Sequence, residues 1–156
     1  HRFFMTIANH SSGQDQWLRS VKYWYVNAIR ETDRWKRFQW SFLALEILTN
    51  KIANMYRSEI ISSLQLNNRT ATDLPITELV WEKSRQPLLS KFAMIASYLR
   101  PDEATQDVDL FSTYKRVRDD ISHGEIMSED ELPRDVDRLV TKYLIAAIHK
   151  IYGWTS

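Results

Sequence analysis

Apolar side chains recur along most of this chain with the 3.6-residue period of a helix, not the alternation of a strand. Trp17, Val21, Trp24 and Ala28 fall at i, i+4, i+7 and i+11, and Leu18, Tyr25 and Ile29 widen that stripe. The spacing predicts a first helix from about Gln14 to Glu31. Asp33 is placed to cap a second helix, in which Phe38, Phe42, Leu45, Leu48, Ile52 and Met55 hold the period. This helix is expected from Arg34 to Leu64, with a bend at Asn50 or Asn54. The polar stretch Leu66 to Pro75 reads as a loop. A third helical region is expected from Ile76 to Arg100. Pro87 should break or kink it, since proline has no amide donor and its ring clashes with the preceding turn. Beyond Pro87, Leu88, Phe92, Ile95 and Leu99 form another stripe, which Pro101 ends. A fourth helix is expected from Asp107 to Ser122, with Gly124 as its C-terminal cap. An acidic loop covers residues 125–132, and Pro133 suits the first position of a last helix running to about Ile151. Asp135 and Asp137 near its start and His149 and Lys150 near its end match the helix dipole. No strand pattern is longer than Phe3–Ile7.

The expected fold is therefore all-α: a four- to five-helix, mostly antiparallel bundle with short connections. A chain of 156 residues fits one domain. Residues 1–13 are expected to be an N-terminal extension, the remnant of a longer chain, because the sequence starts at His1 and not at Met. The absence of cysteine excludes disulfides, thiol nucleophiles and zinc ribbons. With only three glycines, a glycine-rich phosphate loop is not available. The best apolar run, Phe42–Leu48, is short and carries Glu46, so no membrane span is expected. Cytoplasmic placement is expected from the missing targeting signals, together with the resemblance described below.

Net charge is +1, which announces no nucleic-acid binder, but the charge is unevenly placed. Residues 1–65 hold nine Lys/Arg against five Asp/Glu, whereas residues 101–156 hold seven against twelve. The densest basic cluster is Arg30, Arg34, Lys36 and Arg37, and the densest acidic stretch is Glu125 to Asp137. Both suit solvated helix faces. Most of the aromatic residues sit at core spacing. Trp40 and Trp81 fall off their stripes and are candidates for an interface, and Trp154 is placed to close the bundle.

The sequence contains no H-E-x-x-H, G-x-S-x-G or Walker motif. His1, His10, His123 and His149 are scattered, and one Asp120–His123 pair does not make a dinuclear site. No metal and no cofactor are expected. The informative segment is Tyr114-Lys-Arg-Val-Arg-Asp-Asp-Ile-Ser-His-Gly124. Leu110, Tyr114, Val117 and Ile121 share one face of an ideal helix and should point into the core. Arg116, Asp119 and His123 lie about 130–170° from that stripe, with Arg118 at its flank. The bland interpretation of His123 is a helix-terminal imidazole in favourable contact with the dipole. The chemical interpretation uses it as a general acid or base near neutral pH. A guanidinium nearby can grip a phosphate and stabilise its growing charge. Asp119, four residues before His123, can orient the ring. Such a set suffices for RNA cleavage without metal, because the RNA's own 2′-OH attacks. The products are a 2′,3′-cyclic phosphate and a 5′-OH.

Arg118-Asp-Asp-Ile-Ser-His123 resembles the R-x4-H signature of HEPN domains, and Gly124 extends it to the R-x4-H-G form of ApeA-like and related bacterial branches. Phe38-Gln-Trp-Ser-Phe-Leu-Ala-Leu-Glu-Ile-Leu48 resembles the long helix of those proteins. The likeness covers roughly Arg34 to Ile151 in helix order. It implies a metal-independent endoribonuclease of toxin–antitoxin or phage-defence type, acting as a homodimer with both motifs in one composite cleft. RNA would be the substrate, and an antitoxin or regulatory protein a further partner. The resemblance makes His123 the acid/base, Arg118 the clamp and Asp119 the orienting group. Arg116 and Lys115 would be substrate-binding, with Arg116 an alternative main phosphate contact. Arg118 and His123 are five residues apart, about 140° round an ideal helix, and a composite cleft would relieve that separation. One HEPN branch carries a modified tyrosine two residues after the histidine. Glu125 stands there, so that regulation does not carry over. The acidic run after Gly124 would repel RNA, and its expected role is to bind the basic 30–37 cluster of a second protomer. Many HEPN domains have lost catalysis, which leaves a non-catalytic dimerisation or docking module as the alternative.

Overall fold

The computed structural model describes residues 16–67, 87–125 and 128–153. Among them are six α-helices and no strand: α1 Gln16–Arg30, α2 Arg34–Met55, α3 Arg57–Asn67, α4 Pro87–Leu99, α5 Ala104–Ser122 and α6 Val136–Tyr152. A short 3-10 turn at Glu129–Glu131 lies between α5 and α6. The expected all-α bundle is the fold. The 1–13 extension, the Phe3–Ile7 fragment, the loop after Asn67, the segment 76–86, Trp81 and Trp154 lie outside the described residues.

Local chemistry sets the helix ends. Asp33 caps α2 by accepting the Lys36 N–H at 3.1 Å, which satisfies one of the donors a helix start leaves open. The expected long second helix is two helices, and the break is at Tyr56, not at Asn50 or Asn54. There the backbone leaves helical geometry (φ −111, ψ 19) while the Tyr56 N–H still reaches the Ile52 carbonyl at 3.0 Å. Asn50 stays in α2, where its side-chain amide donates to the Glu46 carbonyl and its oxygen accepts from Lys91 of α4. Pro87 opens α4 at its first position, the one place where proline's missing donor is no loss. α5 begins at Ala104, three residues before the expected start.

Pro133 is not in α6, which starts three residues later. Proline restricts the residue before it to extended backbone, and Leu132 is extended (φ −66, ψ 130). Its side chain is buried, which anchors the chain there before the helix begins.

α2 is the central element and touches every other helix. Its buried Phe38, Phe42, Leu45, Leu48 and Ile52 form the spine of the core. An aromatic ladder crosses this core. Phe42 lies 5.8 Å from Phe111 of α5, which stacks at 4.2 Å and 11° on Phe92 of α4, which meets Tyr143 of α6 edge-on at 5.0 Å. Offset and edge contacts of this kind add about 0.5–1.5 kcal/mol each beyond area burial. Truncating one of these rings would remove about 3–5 kcal/mol. Trp40 is half-buried with its ring 6.2 Å from that of Trp24, so α1 covers part of it. No helix among the described residues is long and apolar enough to cross a membrane.

Candidate functional site at the end of α5

The face assignment along α5 agrees with the structure. Tyr114 and Val117 are buried, Leu110 and Ile121 pack against the core, and Arg116 and His123 are exposed. The buried set also takes in Asp107, Val108 and Phe111.

The end of α5 is fixed by backbone hydrogen bonds. His123 N–H donates to the Asp119 carbonyl at 2.9 Å, Gly124 N–H to Ile121 at 3.1 Å and Glu125 N–H to Asp120 at 3.0 Å. The last two bonds form a Schellman motif, which needs a left-handed residue at its turn. Gly124 supplies it with φ +74. A Cβ at Gly124 would meet nothing within 4 Å, so glycine is required there for its backbone angle and not for space. The glycine of R-x4-H-G thus has a physical role: it ends the helix with His123 at its cap. The imidazole itself makes no hydrogen bond to any described residue and faces solvent.

Arg118 points elsewhere. Its guanidinium lies over the Phe42 ring at 5.2 Å. Its Nη2 is 3.8 Å from Glu46 of α2 and its Nη1 is 3.4 Å from Asp119. Its Nε is buried and has no hydrogen-bond partner among the described residues. The side chain remains 33% exposed. Asp119 accepts from Lys115 at 2.7 Å as well. Lys115, Arg118, Asp119 and Glu46 therefore form one cluster. The expected bond from the Asp119 carboxylate to the His123 ring is absent, because Lys115 and Arg118, in its own and the preceding turn, hold that carboxylate. Only Asp119's backbone carbonyl reaches His123. Arg116 is exposed and has no ion pair with a described residue. The last turn of α5 has no basic residue, and Asp119 and Asp120 add negative charge to the negative end of the dipole.

The acidic stretch does meet the basic cluster, but within the same chain. Arg34 bonds Asp130 at 3.0 Å and approaches Glu129 at 3.8 Å, and Arg37 approaches Asp137 at 3.7 Å. The expected contact with a second protomer is thus made internally. Glu46 and Phe42 were legible only as a carboxylate at the centre of an apolar run. Their role as the seat of Arg118 depends on how α2 and α5 cross. No three His, Cys, Asp or Glu among the described residues gather in a way that could hold a metal ion.

A second charged cluster joins α5 to α6, and sequence reasoning missed it. Asp107 is 3% exposed and accepts from the Tyr143 hydroxyl at 2.7 Å and from Lys142 Nζ at 2.9 Å. Lys142 also bonds Glu103, which bonds Arg100. The hydrogen bonds from Lys142 and then Arg100 hold the Glu103 carboxyl below its ordinary range. Burial, then the bond to Asp107, pushes the Tyr143 hydroxyl far up. The only signal in the sequence was Asp107 falling at i, i+4 and i+7 with Phe111 and Tyr114.

No family model, no curated protein and no solved structure matches this chain.

Proposed function

We propose that the chain is a metal-independent endoribonuclease of HEPN type that works as a homodimer. The observation that carries this reading is His123: an exposed imidazole, without a side-chain partner among the described residues, held at a fixed helix end by Gly124 and five residues after a part-exposed arginine. In this role His123 moves the proton from the attacking 2′-OH or to the leaving 5′-oxygen, and Arg118 stabilises the charge on the phosphate. Arg116 offers a guanidinium with no ion pair among the described residues for the adjoining phosphate, and Lys115 lies one residue earlier. Asp119 holds Lys115 and Arg118, a positioning role that differs from the expected orientation of the histidine. Within one chain Arg118 leans on α2 and His123 does not, so the reading needs two copies whose motifs face one cleft. A toxin or phage-defence setting, a regulatory partner and cytoplasmic placement belong to the same proposal.

A second reading has its own support. The seat of Arg118 between Phe42, Glu46 and Asp119 suits an arginine that holds helices together, and so a non-catalytic dimerisation or docking module. One assay separates the two. Purified protein is incubated with labelled mixed-sequence RNA in excess EDTA, beside His123→Ala and Arg118→Ala. Cleavage to cyclic-phosphate ends by the wild type alone is the expected result. A folded dimer that leaves the RNA intact would overturn the nuclease and favour the module.

A further inference from the structure

We infer that the cleft between the start of α2 and the start of α6 is a binding site for a terminal phosphate monoester. The cleft holds about 230 Å³. That lies below the roughly 300 Å³ at which pockets enclose whole ligands, and it suits a headgroup. Arg34 and Arg37 line one side and Arg134 the other, with Phe38 and Leu132 as apolar wall. Three guanidinia carry about fifteen N–H donors, and the nearby carboxylates, Asp137 of the lining among them, use few of them. Of the four arginine–carboxylate pairs there, only Arg34–Asp130 at 3.0 Å is a hydrogen bond; the others span 3.7 to 3.9 Å.

Two further observations point into the same space. Ser41 lines the cleft at 2% exposure, and its hydroxyl makes no hydrogen bond to any described residue. Thr49, on the same helix, bonds back to the Leu45 carbonyl at 2.8 Å, whereas the Ser41 hydroxyl is left to the cleft. The first turn of α6 also borders the cleft. Asp135 stands at its cap position but makes no capping bond, because its carboxylate accepts the Tyr114 hydroxyl at 2.8 Å. The amides of Val136 and Asp137 therefore have no partner among the described residues.

The excess of donors selects the ligand. A carboxylate would only replace Asp130 by another of its kind. A diester phosphate brings one charge and two free oxygens. A monoester dianion brings more charge and three free oxygens, enough to engage guanidinia from both sides and displace Asp130 from Arg34. The same chemistry occurs at the 5′-phosphate of an RNA and on a free mononucleotide or other phosphorylated metabolite. This inference does not rest on the nuclease reading, and His123 takes no part in it.

Calorimetric titration of the full chain at low ionic strength tests it, with inorganic phosphate, AMP and one 2′-O-methyl oligoribonucleotide carrying either a 5′-phosphate or a 5′-hydroxyl. AMP is expected to bind. Arg37→Gln and Arg134→Gln should each weaken it about tenfold, the worth of a lost charge-assisted contact. Ser41→Ala should weaken it severalfold. Lys36→Gln, which removes the same charge outside the cleft, should change it less than about twofold. Asp130→Asn should tighten it, a gain that misfolding cannot produce. Preference for the 5′-phosphoryl oligonucleotide over AMP assigns the RNA end. Preference for AMP, with the two oligonucleotides equal, assigns a small phosphorylated ligand. No saturable binding of phosphate or AMP at about 10 mM, where even a weak site fills, would overturn the inference. Equal losses in Arg37→Gln, Arg134→Gln and Lys36→Gln would overturn it as well.

Discussion

The two halves of α5 carry charge in opposite ways. Near its start, Asp107 is almost fully buried and both its oxygens are engaged, by Tyr143 and Lys142. Near its end, Arg118 is a third exposed, its ion pairs are long and its Nε has no acceptor among the described residues. The same aromatic ladder links the two, with Tyr143 at the Asp107 end and Phe42 at the Arg118 end. A buried charge is tolerated only when its hydrogen bonds are complete, so the first cluster is a joint between α5 and α6. The second is looser: its guanidinium keeps donors that neither Glu46 nor Asp119 takes up. Saturation separates the joint from the candidate site more clearly than residue type does, since both contain Lys, Asp, Glu and an aromatic ring.

The sharpest test removes the centre of each cluster. Asp107→Ala strands Lys142 and the Tyr143 hydroxyl and should lower unfolding free energy by about 3 kcal/mol or more. Arg118→Ala loses long, part-exposed pairs and one cation–π contact, but it also relieves the unsatisfied Nε. It should remain within about 1 kcal/mol. Urea denaturation of the two variants beside the wild type gives both numbers. Equal losses would break the distinction.

Tyr143→Phe keeps the ring against Phe92 and removes only the hydroxyl. The expected loss is about 1.5–3 kcal/mol, the worth of one hydrogen bond to a charged acceptor, and RNA cleavage should be unchanged. Gly124→Ala should lose about 1 kcal/mol, because alanine must take up the left-handed backbone at φ +74. If His123 works where the helix end puts it, Gly124→Ala should also slow cleavage. Full activity in a folded Gly124→Ala protein would mean that the Schellman motif does not position the imidazole.

Features decided by local chemistry could be read from the sequence. Asp33 was recognisable as a cap, Gly124 as a helix stop, and the faces of α5 from apolar spacing. The break at Tyr56 was hidden, because the apolar period runs through it from Ile52 to Ile60. Pro133 misled, because the anchor that delays α6 is the burial of Leu132, a tertiary effect. Arg118, Asp119 and His123 could be named as a motif, but the seat of Arg118 on Glu46 and Phe42 needs the crossing of two helices distant in sequence. Asp107 escaped notice for the opposite reason: a carboxylate at a core position reads as a polar interruption until its partners on α6 are known. The arginine cleft was visible as half of itself, the basic 34–37 run, while Arg134 and the start of α6 come from the other end of the chain.

The pH dependence of stability separates the halves most finely. The hydroxyls of Tyr114 and Tyr143 both ionise well above their ordinary 10.0, in each case through burial first and then the hydrogen bond to an aspartate. A tyrosine so raised disfavours the folded state where the unfolded chain has begun to ionise and the folded chain has not. Its neutral form is common to both states below pH about 10, and above that the unfolded chain gains charge and stability falls. Each such tyrosine can contribute up to about 1.4 kcal/mol per pH unit to that decline. Glu103 acts in the other direction. Its lowered carboxyl supports the fold above its ordinary 4.5, and the support fades as pH falls through the folded value. Denaturation midpoints measured across pH should therefore drop beyond pH 10, and the drop should be shallower in Tyr143→Phe. Arg118→Ala, at the other end of the ladder, should follow the wild-type alkaline slope. An alkaline slope flattened equally by Arg118→Ala would show that the two clusters are one electrostatic unit and that α5 has no separate working end.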